Sequence, residues 1–124
     1  MLDEKSLTDV ARNVTGFWVT VYVVNRGFVG KSQRNPDVYS EAVTFATDET
    51  ATVLIADDLS DERQFHFFLH ELAHVHYKHW RRSDVPQFEA EAEAFARDFE
   101  KRLSRWESYE SKLIELESIF EAKT

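Results

Sequence analysis

Residues 57–80 read DDLSDERQFHFFLHELAHVHYKHW. Acidic and capping side chains open this stretch, and carboxylates near the start of a helix are stabilised by the positive end of the helix dipole. Apolar side chains then recur at helical spacing and predict one face that packs on a core: Phe65, Phe68, Leu69, Leu72 and Ala73. The stretch therefore predicts a helix that starts within residues 57–62 and runs to about Trp80.

The residues before this helix contain three short runs rich in β-branched and aromatic side chains, which are typical of strands. The predicted elements are a helix over residues 3–14 and strands over 17–24, 41–47 and 51–56, the last two forming a hairpin. Residues 25–27 predict a turn, Phe28 and Val29 the start of a short return, and residues 30–39 an irregular loop.

The residues after the central helix predict more helix. Asp84 can cap a new helix that Pro86 tolerates in its first turn, and no Pro or Gly follows. Two apolar stripes follow: Phe88, Ala92, Phe95, Phe99, Leu103 and Trp106, then Leu113, Leu116 and Phe120. One long helix and two helices that meet near Ser108 both agree with this pattern. We predict one α+β domain over residues 1–124, with a helical C-terminal extension over about 104–122.

Composition narrows the classes of function. The chain has no cysteine, so disulfides, thiolate metal sites and a cysteine nucleophile are excluded. Its formal charge of −8 disfavours direct binding to the phosphates of nucleic acid. The longest apolar run, near residues 17–24, is too short to span a bilayer. We expect a cytoplasmic protein that contacts neither nucleic acid nor membrane directly.

The central helix carries the motif H-E-x-x-H, as His70, Glu71 and His74. Residues four apart lie on one helix face, so the two imidazoles can bind one metal ion. Glu71 can reach a water at the same ion without ligating the metal, as the general base of a metallopeptidase does. The motif predicts a zinc site with His70 and His74 as ligands and Glu71 as the catalytic residue.

A third ligand is expected from the next helix, because catalytic zinc usually has three protein ligands and one open position. Glu89 and Glu93 are four apart on one face of that helix. One of them can ligate zinc while the other accepts a hydrogen bond from the free ring N–H of a ligating histidine. The spacing does not decide which glutamate has which role.

These residues resemble the ImmA/IrrE family of small zinc peptidases, of the gluzincin type. The resemblance spans residues 52–99 and rests on the H-E-x-x-H motif and on the second helix. There the family has a glutamate, two variable residues, Ala, Asp or Asn, a variable residue, Phe and Ala, and this chain reads EAEAEAFA at 89–96. The chain differs from the family at Glu93, where a shorter acid is usual, and at Ala73, where glycine is common.

The resemblance implies a small zincin-like domain, in which about three strands pack on the H-E-x-x-H helix and a ligand-bearing helix follows. It makes Glu89 the third zinc ligand and Glu93 the carboxylate behind a ligating histidine. It also implies one Zn²⁺ per chain and a protein or peptide substrate, such as a DNA-binding repressor. The chain has no helix-turn-helix signal of its own.

Two further histidines are candidate accessory residues. His66 lies four before His70 and near the same face, where it is an alternative ligand, a substrate contact or simply a half-exposed helix histidine. His79 follows the motif, where it can stabilise an oxyanion or cap the helix end. An extended substrate is expected to pair with strand 51–56 by β-addition. Proline at Thr52 or Leu54 would then abolish cleavage without unfolding the protein.

A second hypothesis makes the domain a metal-stabilised interaction module that sequesters a partner without cleavage. The C-terminal stripe of Leu113, Leu116 and Phe120 would then bind a partner or form a homodimer, unless it packs on the domain's own core. Glu71→Gln separates the two hypotheses, because it removes the base and leaves metal and partner binding intact.

Overall fold

The computed structural model describes residues 2–31, 37–78, 85–103 and 108–123, and over these ranges the protein has the predicted α+β fold. The helices are α1 (Glu4–Thr15), α2 (Arg26–Val29), α3 (Asp61–His76), α4 (Val85–Leu103) and α5 (Tyr109–Lys123). The strands are β1 (Trp18–Val24), β2 (Ala42–Ala46) and β3 (Thr50–Ala56). Among these residues, the structure contains no helix that is both long and apolar enough to cross a membrane.

The three strands form one sheet in the order β1-β3-β2. β1 is parallel to β3, with Trp18 opposite Thr50, and β2 is antiparallel to β3, with Ala42 opposite Ile55. The predicted hairpin is therefore confirmed. The expectation that an extended substrate pairs with strand 51–56 is wrong, because β3 is hydrogen-bonded to β1 on one side and to β2 on the other.

Hydrogen bonds at the two ends of the hairpin fix which backbone groups of β2 face β3. The Ala56 N–H donates to the Glu41 carbonyl at 2.9 Å, and the Thr47 N–H donates to the Thr50 carbonyl at 2.8 Å. Backbone direction alternates along an antiparallel strand, so residues 43 and 45 also face β3. The N–H and C=O groups of Ala42, Thr44 and Ala46 face away from β3, and no strand among the described residues pairs with that edge.

The two faces of the sheet have different environments. Val19, Val21, Val53 and Ile55 lie on the inner face and are buried against the helices. Alternate residues lie on the outer face, where Trp18, Tyr22 and Phe45 are exposed.

Helix α1 packs on the inner side through Leu7, Val10 and Ala11. It starts where the Asp3 carboxylate accepts the Ser6 N–H at 3.1 Å, and it ends at Gly16, whose φ of 68° is left-handed and costs glycine little. Side chains of α1 also bind the outer edge of β1. The Thr8 hydroxyl accepts the Val21 N–H at 2.9 Å and donates to the Val21 carbonyl at 3.3 Å, and Arg12 Nε donates to the Val19 carbonyl at 2.8 Å.

Helix α2 replaces the predicted turn and return at residues 25–29. The Asn25 side chain accepts the Gly27 N–H at 2.9 Å and caps one helical turn, which is why the chain does not turn back as a strand. Arg26 then forms a two-pronged ion pair with Asp58, with N–O distances of 2.9 and 3.0 Å. This pair ties α2 to the connection between β3 and α3.

Helix α3 starts where the Ser60 hydroxyl accepts the Arg63 N–H at 3.2 Å. The buried amide of Gln64 accepts the Leu2 N–H and donates toward the carbonyls of Ala56, Asp57 and Leu59, which fixes the helix start against the end of β3. The helix ends at His76, earlier than the predicted Trp80, because Lys78 takes a left-handed φ of 53° that interrupts the helical path.

The C-terminal part of the chain forms two helices, α4 and α5, and not one long helix. α4 buries the predicted stripe: Phe88, Ala92, Phe95, Phe99 and Leu103. Leu113 and Leu116 of α5 are buried in the same core, and Asn13 of α1 donates to Glu117 at 3.1 Å. The proposed cap Asp84, Trp106 and the side chain of Phe120 lie outside the described parts of the chain.

Candidate metal centre

Helix α3 presents His70, Glu71 and His74 toward α4 and β2. The side chains are only 12%, 7% and 13% exposed, so all three are largely shielded from water. The two imidazole rings lie edge to face with centroids 4.9 Å apart, as residues four apart on one helix permit. Each of the three residues offers one ligand atom, and these atoms lie within 4.8 Å of one another. This cluster could hold a metal ion.

Helix α4 brings Glu89 to the Nε2 atoms of both histidines. One Glu89 oxygen lies 3.1 Å from His70 Nε2 and the other lies 3.4 Å from His74 Nε2. Two ligand atoms at about 2.1 Å from one tetrahedral zinc are about 3.4 Å apart. The Glu89 carboxylate, with one oxygen toward each histidine, is therefore close enough to be a third ligand of the same ion.

Glu71 lies slightly farther from the two histidines. Its Oε2 atom is 3.9 Å from His70 Nε2 and 3.8 Å from His74 Nε2. Its Oε1 atom accepts a hydrogen bond from the Thr44 hydroxyl of β2 at 3.0 Å. A carboxylate held beside the ligand atoms by a neighbouring strand suits the role of a base better than that of a fourth ligand.

Glu93 approaches the opposite side of the His70 ring, with Oε2 3.1 Å from Nδ1. A carboxylate at Nδ1 selects the tautomer with the proton on that atom, which leaves Nε2 free to ligate a metal. The structure therefore separates the two glutamates that the spacing left equivalent. Glu89 lies where both Nε2 atoms converge, and Glu93 lies behind His70.

The carboxylates and histidines shift one another's pKa. Burial acts to lower the pKa of His70, but hydrogen bonds to Glu89 and Glu93 and the charge of Glu71 outweigh burial and raise it. Burial raises the pKa of Glu71 to about 7, against the opposing effects of His70 and Thr44. Burial also acts to raise the pKa of Glu93, but the charges of His66 and His70 lower it overall.

Of the two predicted accessory residues, His66 lies in a described part of the chain and His79 does not. His66 lies beside the site but neither of its ring nitrogens faces the two Nε2 atoms, since both lie against carboxylates of α4. His79 lies outside the described ranges. Thr44 is a site residue that the sequence did not indicate, because the spacing of a motif on one helix says nothing about which strand lies opposite it.

No family model, curated protein or solved structure matches this chain. Membership of the ImmA/IrrE family therefore stays a prediction that rests on the motif residues.

Proposed function

We propose that this chain is a zinc-dependent peptidase that hydrolyses a peptide bond in a protein substrate. One observation carries the proposal: Glu89 of α4 lies 3.1 and 3.4 Å from the Nε2 atoms of His70 and His74, with Glu71 beside them. Two helices thus bring together the residues that the motif and the family resemblance assign to one metal.

The donor set is compatible with zinc. Two imidazole nitrogens and one carboxylate oxygen form a common ligand set of catalytic zinc, and His70, His74 and Glu89 would hold the ion. When bound, zinc supplies a Lewis acid that polarises a carbonyl and makes a water more acidic. We expect one Zn²⁺ per chain.

Glu71 would transfer the proton of the reaction. It accepts a proton from the attacking water at Oε2 and returns that proton to the leaving amine. The Thr44 hydroxyl holds the other oxygen at 3.0 Å, so the free oxygen stays directed at the histidines. Burial favours this role, because it weakens hydration of the carboxylate and raises its pKa to about 7.

The open edge of β2 supports a binding mode for an extended substrate. The backbone groups of Ala42, Thr44 and Ala46 face away from β3, and the Thr44 side chain contacts Glu71. A peptide that adds to this edge as a further strand would pass beside the base. This replaces the earlier expectation that the substrate pairs with β3.

The substrate class rests on the family resemblance alone. That resemblance favours a regulatory protein, such as a DNA-binding repressor, and a cytoplasmic setting, with which the absence of cysteine agrees. A homodimer through the C-terminal helix stays a prediction, although Leu113 and Leu116 pack on the domain's own core.

Metal content tests the proposal directly. The protein is purified without a metal-affinity tag, supplied with zinc, desalted and measured by plasma mass spectrometry beside His74→Ala and Glu89→Ala. About one zinc per chain is expected, with loss in both variants. Glu91→Ala is the matched control, since Glu91 lies on α4 between the two site glutamates and should leave the zinc content unchanged. No zinc in the wild-type protein would refute the proposal.

Glu71→Gln then separates a peptidase from a metal-stabilised interaction module. The variant should keep its zinc and lose cleavage of a mixed peptide library by about 100-fold or more, because the general base is gone. Cleavage products are measured by mass spectrometry. Wild-type protein that binds zinc and cleaves no peptide, and whose partner binding survives Glu71→Gln, would favour the interaction module.

A further inference from the structure

We propose that His66 is a positioning residue that holds Glu93 against His70, and so sets the orientation of a metal ligand from one helical turn away. The inference rests on the proposed zinc site. The motif itself does not include His66, which lies four residues before His70 on α3.

Both ring nitrogens of His66 lie against carboxylates of α4. Nε2 is 3.3 Å from Oε1 of Glu93, and Nδ1 contacts Oε1 of Glu100. The other oxygen of Glu93, Oε2, is 3.1 Å from Nδ1 of His70. Glu93 therefore bridges two histidines with its two oxygens, and Glu100 holds the outer histidine from behind.

The contacts follow the antiparallel packing of α3 and α4. One turn at a time along α3, the histidines contact acids that lie progressively earlier on α4. His66 contacts Glu100 and Glu93, His70 contacts Glu93 and Glu89, and His74 contacts Glu89. Of the three histidines, His66 is the one whose two ring nitrogens both contact acids and point away from the metal centre. It is therefore placed to support a ligand and not to be one.

Glu93 needs such support because its side chain has several rotatable bonds. A carboxylate that orients a ligating imidazole is effective only if its own position is fixed. His66 is only 16% exposed, whereas Arg97, which also lies 3.3 Å from Oε1 of Glu93, is 76% exposed. The buried contact restricts Glu93, and the exposed ion pair is screened by water and contributes little.

The test measures zinc affinity by competition with a chromophoric chelator. His66→Phe should weaken zinc binding by about three- to tenfold, which is less than the loss from removing a direct partner of a ligand. His66→Gln should restore part of the affinity, because an amide at this position can donate a hydrogen bond to Glu93. Arg97→Gln is the matched control and should change the affinity by less than about twofold.

A double-mutant cycle distinguishes positioning from a merely structural role. Glu93→Gln alone should weaken zinc binding by about tenfold or more. Adding His66→Phe to Glu93→Gln should cost nothing further, because the residue through which His66 acts is already lost. If His66→Phe does not fold, His66→Gln and Glu100→Gln replace it in the cycle.

The outcomes separate the two proposals. Wild-type protein that binds no zinc refutes the proposed function and this inference with it. Wild-type protein that binds zinc, together with a His66→Phe affinity equal to that of Arg97→Gln, overturns the positioning role and leaves the zinc site standing. Equal losses from His66→Phe with and without Glu93→Gln would also overturn it, since the effect would then not pass through Glu93.

Discussion

The two outer edges of the sheet differ in the hydrogen-bond partners of their backbone groups. At the edge of β1, Thr8 satisfies both backbone groups of Val21, and Arg12 donates to the Val19 carbonyl. At the edge of β2, the backbone groups of Ala42, Thr44 and Ala46 face outward, and no strand in the described ranges pairs with them. Among the described residues, one edge is closed by the domain's first helix, and the other, beside Glu71, has no strand paired to it.

An unpaired edge invites association with other chains, so proteins usually block it. The edge of β1 that α1 blocks lies on the far side of β3 from β2, the strand that contacts Glu71. The short β2 edge has no strand paired to it in the described ranges, and beside it the Thr44 hydroxyl contacts Glu71. Under the proposed function, the edge without a paired strand is the one at which a substrate would bind.

The largest difference between the edges should come from proline substitutions. Val21→Pro removes the N–H that donates to Thr8 and places a rigid ring at a buried position, so it should destabilise the domain by about 3 kcal/mol or more. Ala46→Pro removes an outward N–H and should cost about 1 kcal/mol. Urea unfolding monitored by circular dichroism measures both.

Ala46→Pro should affect activity more strongly than it affects stability. Ala46→Pro should lower peptide cleavage by about tenfold, since one hydrogen bond to an added strand is lost. Leu54→Pro serves as the control for the central strand, because it breaks pairing with β2 and should unfold the protein. Full cleavage by Ala46→Pro would contradict substrate binding at this edge.

Glu71, beside the open edge, should make stability depend on pH in protein stripped of metal. The pKa of its carboxyl is 4.5 in the unfolded chain and about 7 in the folded one. Between these values the folded protein holds a proton that the unfolded chain releases. The stability that this bound proton contributes to the folded protein is therefore fully present below pH 4.5 and is lost as the pH rises through 7.

Glu71→Gln should remove this dependence. The variant should match the wild type near pH 4 and exceed it at pH 8 by up to about 3 kcal/mol. Urea unfolding across that pH range, with a chelator present, measures the difference. Glu49→Gln in the exposed β2–β3 turn should show no such difference. If Glu71→Gln is no more stable than the wild type at pH 8, then burial does not raise the pKa of Glu71.

A smaller effect on stability than those of Val21→Pro and Glu71→Gln should come from the closed edge itself. Thr8→Val keeps the shape of the side chain and leaves the Val21 N–H and C=O without their hydroxyl partner. We expect a loss of about 1–2 kcal/mol in the free energy of unfolding and no change in peptide cleavage. Thermal unfolding and the library assay together measure this, and a loss of cleavage would show that the closed edge also serves function.

Local patterns predicted much of this fold. Helical periodicity located α1, α3, α4 and α5, and β-branched runs located the three strands. The spacing of His70 and His74 placed both rings on one face. Strand order could not be predicted, because β3 pairs with a strand far back along the chain as well as with its hairpin neighbour.

The rest of the site depends on side chains that meet only after packing. Whether Glu89 or Glu93 reaches the Nε2 atoms depends on the register of α4 against α3, which no motif fixes. No spacing indicates that Thr44 of β2 contacts Glu71, and the four-residue spacing of His66 from His70 does not show that His66 contacts Glu93. The Asn25 cap of α2 was missed because its side chain can stabilise either a turn or a short helix.

The order of pairing in the sheet also bears on how the chain folds. β2, β3 and α3 are consecutive, and they carry Thr44, Glu71 and both histidines, whereas β1 must find β3 across a long intervening segment. Contacts between near neighbours in sequence form sooner than distant ones. We expect the hairpin to belong to the folding nucleus, so substitutions at Val53 should slow refolding, and substitutions at Val23 should mainly speed unfolding, in stopped-flow kinetics. The half of the domain that carries Thr44, His70, Glu71 and His74 would then form before β1 joins the sheet.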